Sequence, residues 1–139
     1  MMARVCCGFL LVLSVVVAGC GESDPLGRRP VSGEVTLEGQ PLAQGTISFE
    51  PSEKGTSAGA TIADGRYSIS TEVGLPPGKY VVRISSPTGG VATPEAPGES
   101  DQLATEQIPE DFNSKSIVKV DVLKEGQNTF NFFIPNKAK

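Results

Sequence analysis

The chain has 139 residues, with 12 basic and 16 acidic side chains for a formal net charge of −4, and it contains neither histidine nor tryptophan. This length suits one domain with one core. An acidic balance with no basic cluster speaks against nucleic acid and against attachment to anionic lipid through surface charge, both of which reward grouped Lys and Arg. Sixteen glycines and eleven prolines argue against long helices.

In chain order, the first element is a basic start at Arg4 followed by an apolar stretch from Val5 to Ala18. Its 14 residues fall short of the ~20 that a membrane-spanning helix needs, so it reads as a secretory signal. The run Val17-Ala18-Gly19-Cys20 resembles a bacterial lipobox. That resemblance implies diacylation of Cys20 on sulfur, cleavage between Gly19 and Cys20, and acylation of the new amino group, which leaves the chain anchored rather than spanning. Gly21, and not Asp, follows the cysteine, which leans towards the outer membrane over the inner.

Removing residues 1–19 leaves 120 residues with 11 basic against 16 acidic side chains, a net of −5. Cys6 and Cys7 go with the signal and Cys20 remains alone, so no internal disulfide is expected and the core must carry stability. Cys20 is also a poor nucleophile, because the chain has no imidazole to activate it. The residues from Gly21 to Arg29 are a polar stretch without periodicity. As free coil they would reach about 15–18 Å.

From Val31 the pattern changes to alternation. Val31, Gly33, Val35 and Leu37 share one face against Ser32, Glu34, Thr36 and Glu38, the period-2 signal of a half-buried strand. Six more segments are expected to behave alike: 46–50 with Ile47 and Phe49 inward, 58–62 with Ala60 and Ile62, 66–71 with Tyr67 and Ile69, 79–85 with Tyr80, Val82 and Ile84, 116–123 with Val118, Val120 and Val122, and 128–134 with Phe130, Phe132 and Ile134. Seven short strands joined by Gly/Pro turns predict a sandwich or barrel.

Each connection has turn chemistry. Glu38-Gly39-Gln40-Pro41 and Ala63-Asp64-Gly65-Arg66 predict tight turns, since glycine and aspartate accept the positive φ of a two-residue hairpin. Pro76-Pro77-Gly78 separates two strands, and Lys124-Glu125-Gly126-Gln127 is expected to close the last hairpin. The stretch 86–107 is too long and too polar for an ordinary connection and reads as a disordered insertion or a binding loop. Ile108 and Phe112, just after it, are expected to pack and pin the loop to the sandwich. If the strands alternate up and down, the turns near 39, 64 and 86–113 gather at one end. Those near 52–57, 72–78 and 124–127, with the tether, gather at the other.

Val31-Ser32-Gly33-Glu34-Val35-Thr36-Leu37-Glu38-Gly39-Gln40-Pro41-Leu42, followed by Gly45-Thr46-Ile47-Ser48-Phe49, resembles the opening of the carboxypeptidase regulatory-like family. Thr61-Ile62-Ala63-Asp64-Gly65-Arg66-Tyr67 and Leu75-Pro76-Pro77-Gly78-Lys79-Tyr80 resemble its later T-D-x-D/N-G-x-Y/F and L-P-P-G-x-Y segments. The segments at 108–113 and 126–130 are similar to those of small bacterial lipoproteins of this type. The resemblance runs over about residues 31–134 and implies an all-β, seven-stranded, transthyretin-like and immunoglobulin-like β-sandwich without catalytic residues. In the family's turn motif the first Asp is Ile62 here, so only Asp64 remains. Calcium takes six to eight oxygens, so Asp64 reads as a hairpin residue and no metal or cofactor is expected.

The expected organisation is a signal peptide at 1–19, a lipidated cysteine and tether at 20–29, and a sandwich at 30–136. The adjacent carboxylates Glu110 and Asp111 would point to opposite sides of an extended chain and read as a solvated loop end rather than an acid/base pair. No zinc, phosphate-loop or dinucleotide motif is present. The expected function is a non-enzymatic structural or interaction module held at the cell envelope by its lipid, with an envelope protein or glycan as partner. The alternative is a glycan- or peptide-binding module, for which Phe133, the one outward aromatic, is the candidate contact.

Overall fold

The computed structural model describes residues 24–89 and 104–135. Eleven strands carry the fold: β1 (Val31–Leu37), β2 (Gln40–Pro41), β3 (Gln44–Pro51), β4 (Ala58–Ala63), β5 (Arg66–Ile69), β6 (Gly78–Ser85), β7 (Pro87–Thr88), β8 (Thr105–Glu106), β9 (Lys119–Val122), β10 (Asn128–Thr129) and β11 (Phe132–Ile134). Two single 3-10 turns, Thr71–Val73 and Glu110–Phe112, are the only helical elements among the described residues. All seven expected segments are strands or contain them, and the all-β fold class is as expected.

The ladder runs β10-β1-β5-β4-β3-β6-β9, but β4 and β5 share only the pair Ala63 with Arg66. At that corner the sheet folds over and becomes two layers, β5-β1-β10/β11 and β4-β3-β6-β9. Their inward residues meet in one core. Phe49 from one layer lies 5.9 Å from Tyr67 of the other, centroid to centroid, and Tyr67 lies 6.3 Å from Phe132. Ile47, Phe49, Ile62, Ile69, Ile84 and Ile134 are all at most 2% exposed, each on the face that alternation assigns to it. Burying one such side chain stabilises the fold by about 1.5–3 kcal/mol, and no disulfide supplements this among the described residues.

Both tight turns form as their residues require. Glu38 and Gly39 have φ of 54° and 81°, Asp64 and Gly65 have 49° and 75°, and the flanking pairs are Leu37 with Gln40 and Ala63 with Arg66. Two consecutive positive φ values are the signature of the hairpin turn whose twist suits its strands. Asp64 is therefore occupied as a turn residue.

Pairing corrects the expectation at 124–127. No hairpin forms there, because β9 pairs with β6 at one end of the ladder and β10 pairs with β1 at the other. The chain instead crosses between layers. The buried Asn128 amide accepts from Leu123 N at 2.7 Å and donates to Leu123 O at 3.2 Å, so a side chain satisfies the backbone where a ladder cannot. β10 and β11 run parallel to β1. Seven alternating segments make the first and last point the same way, and once they are neighbours their pairing must be parallel.

The expected seventh strand is broken. Between β10 and β11, Phe130 N donates to Ser32 O at 2.9 Å and Glu34 N donates to the Asn131 side-chain oxygen at 2.9 Å. Asn131 thus stands in for a missing backbone acceptor. The break is possible because Gly33 carries no Cβ: one built there would collide with the Phe130 carbonyl. That carbonyl accepts the Tyr67 hydroxyl at 2.8 Å.

Candidate functional site

Strand directions follow from the pairings, and they sort the connections by end. The turns at 38–39 and 64–65 meet, since Asp64 N donates to Ala43 O at 2.9 Å and Gly65 N to Leu42 O at 2.8 Å. The same end receives the base of the long loop, where the Ser86 hydroxyl donates to Gln44 O at 2.6 Å. At the opposite end Arg29 and Leu75 exchange backbone bonds of 2.8 and 3.0 Å. The two-ended arrangement expected from alternation is thus the one observed.

The far end is built around Glu106. β7 and β8 pair as Pro87 with Glu106 and Thr88 with Thr105, so both ends of the insertion form a short ribbon. Residues 90–103 lie outside the described residues. One Glu106 oxygen accepts from Ser86 N at 2.8 Å and Ile108 N at 2.9 Å, and the other from Ser85 Oγ at 2.6 Å. Burial alone would raise this carboxyl, but the bonds from Ser85, Ile108, Ser86 and the Asn113 side chain outweigh it and hold it below its ordinary value. Gln107 extends the latch by donating to Ser86 Oγ at 2.6 Å.

Behind the latch, Ile108 is 1% exposed and Phe112 packs on the core, as their spacing implied. Arg83 on β6 fixes the next stretch, bonding Glu50 Oε2 at 2.9 Å and the Asn113 and Ser114 carbonyls at 2.9 and 2.7 Å. Glu110 and Asp111 sit on a 3-10 turn, not on extended chain, and Glu110 is paired with Lys115. Sequence reasoning missed Glu106, Arg83, Asn128 and Asn131. Each acts on a partner distant in the chain or on a particular turn, and a lone polar residue does not reveal that.

Phe133 lies outward on β11, register-paired with Thr36, and is 65% exposed. The ribbon leaves from β6, in the other layer. Two grooves border the sandwich. One, near 390 Å³, lies at the tether end between Pro51–Gly55 and Pro76–Tyr80, with Asp121 at its side. The other is shallow and crosses Gly33, Arg66, Tyr67 and Asn131, beside the exposed Arg66–Glu34 pair at 3.4 Å. Among the described residues no group of three His, Cys, Asp or Glu is placed to hold a metal ion.

At the tether end, the described part of the expected 20–29 tether is a fastened turn rather than free coil. Asp24 caps it, accepting from Leu26 N at 3.2 Å, Arg28 N at 2.7 Å and Arg28 Nε at 2.9 Å. The Arg28 side chain is the main reason the Asp24 carboxyl sits below its ordinary value. Arg28 also reaches the Glu72 carbonyl at 2.5 Å. Gly19 and Cys20 lie outside the described residues. Among the described residues no helix is long and apolar enough to cross a membrane.

Comparison with protein-family models, with curated proteins and with solved structures finds no match for this chain.

Proposed function

We propose that this is an exported lipoprotein, lipid-anchored through Cys20 to the cell envelope, whose β-sandwich is a non-catalytic structural or interaction module. The observation that carries the reading is Val17-Ala18-Gly19-Cys20 at the end of a 14-residue apolar run, four residues before a sandwich that begins with a docked turn. The absence of histidine supports a non-enzymatic role. So does the commitment of the most engaged charged groups, Glu106, Arg83 and Asp24, to backbone partners that hold loops in place. The carboxypeptidase regulatory-like resemblance belongs to the same reading. Its supports are the turns at Gly39 and Gly65 and the inward positions of Tyr67 and Tyr80.

The test is fractionation of wild type beside Cys20→Ser, with intact-mass analysis of the mature N-terminus. A diacylated N-terminal cysteine in the membrane fraction, with uncut precursor for the variant, is the expected result. A wild-type chain that is uncut, or cut but free of lipid, would remove the anchor from the reading.

Phe133 favours a second reading, a glycan- or peptide-binding module, because a 65% exposed ring on a sheet face is a surface on which a sugar or a peptide side chain can stack. Titration with cell-wall glycans and peptides separates the two. Saturable binding that Phe133→Ala abolishes would replace the structural reading with this one.

A further inference from the structure

The tether end carries more exposed apolar surface than a solvated end of a small domain requires. Of the five large hydrophobic side chains exposed among the described residues, three lie there: Leu26 at 53%, Val73 at 61% and Leu123 at 54%. Arg28 bonds the Glu72 carbonyl and Arg29 pairs with Leu75, which fastens the turn that carries Leu26 to the connection that carries Val73. The turn following Leu123 lies against the start of β1, with Gly126–Asn128 lining one hollow together with Pro30 and Val31. These side chains come from three separate connections that share one end of the sandwich.

The chain outside the described part says what lies below. Asp24 is held by Arg28, which is docked on Glu72, so only the three residues Gly21, Glu22 and Ser23, four Cα-to-Cα steps, remain between Cys20 and the fastened turn. Fully extended they span at most about 14 Å. A nine-residue free tether would let the domain float clear of the headgroups; a three-residue one would hold this end against them. The charges on the described residues of this end balance, with Arg28, Arg29, Lys54, Lys79 and Lys124 against Asp24, Glu53, Glu72, Asp121 and Glu125. A face without an excess of positive charge would be held to a bilayer by apolar contact rather than by attraction to anionic lipid.

We propose that the tether end rests directly on the bilayer, with Leu26, Val73 and Leu123 seated at the boundary between headgroups and acyl chains. This rests on the reading that Cys20 is lipidated. It also fixes the domain's orientation: the Glu106 latch points away from the membrane.

The absence of tryptophan makes the test direct. The full lipidated protein, carrying Val73→Trp, Leu123→Trp or Phe133→Trp one at a time, is reconstituted in phosphatidylcholine vesicles whose acyl chains are brominated near the headgroup. Intact mass first establishes that each preparation bears its lipid. Quenching of about twofold at positions 73 and 123, little at 133, and no change on raising salt is the expected pattern for apolar seating at that depth. Equal fluorescence at all three positions in protein shown to be lipidated would overturn the seating while leaving the anchor intact. So would a concentration-dependent shift at 73 and 123 in detergent without vesicles, which would mark a second copy as the occupant. A mature chain without lipid, seen by mass alone, would overturn the anchor and the seating together.

Discussion

At Gly33 the missing side chain lets the Phe130 carbonyl lie across β1, and the Tyr67 hydroxyl completes the contact at 2.8 Å. The alternation of β1 indicated that position 33 faces inward, but not that a carbonyl rather than a side chain would be its neighbour. Gly33→Ala is expected to lower stability by about 2–3 kcal/mol, because a methyl group there displaces backbone that cannot yield cheaply. Tyr67→Phe is expected to cost about 1–2 kcal/mol, leaving the Phe130 carbonyl without its donor in a largely apolar setting. Urea unfolding of both variants checks the order. A Gly33→Ala protein as stable as wild type would mean that the close approach is not required. Tyr67 ionises well above its ordinary range because burial opposes the phenolate, so this bond persists at alkaline pH.

Among the elements, the β7–β8 ribbon shows how a long polar insertion can be fastened without an apolar face. The described ends of the insertion pair with each other and not with the sandwich ladder. Glu106 was invisible as a latch because its donors come from residues 85, 86, 108 and 113, which only the return of the loop brings together. The folded carboxyl lies below the 4.5 of a free glutamate, so its charged form stabilises the native state. That contribution is complete above the unfolded value and is lost as pH falls through the lowered folded value. Glu106→Ala is expected to cost about 2–3 kcal/mol near neutral pH, on the scale of a hydrogen-bonded charged group. Glu106→Gln retains an acceptor for the two amides and should cost less, while removing the titration. Urea midpoints at neutral and acid pH test this: the gap between wild type and Glu106→Gln should narrow as pH falls below the 4.5 of a free glutamate, and a gap independent of pH would exclude the latch as its source.

For the whole molecule, the odd number of alternating segments has two consequences. It sets β1 beside β10 and β11 in parallel, and it places the docked turn at Asp24–Arg29 opposite the Glu106 latch. In cells or vesicles with the domain on the outer side of its membrane, protease is expected to cut within 90–103 before it reaches the turns at 52–55 or 124–127. Peptide mapping after brief digestion checks this, and earlier cutting at the tether-end turns would reverse the orientation. Leu26, Val73 and Leu123 look incidental in three unrelated connections, and the strand directions put all three connections at the same end.

By itself the sequence determined the strands, the faces they bury and the two hairpin turns. Those depend on local alternation and on residues that tolerate positive φ, both of which are written within a few positions. The tertiary structure decided what depends on distant partners: the crossover at Leu123–Asn128 in place of a hairpin, the break beside Gly33, the latch at Glu106 and the docking of Arg29 on Leu75. In each case an orphaned backbone group is satisfied by a residue far away in the chain or in an unpredictable rotamer. Such pairings are selected by the closure of the two layers, which no local pattern encodes.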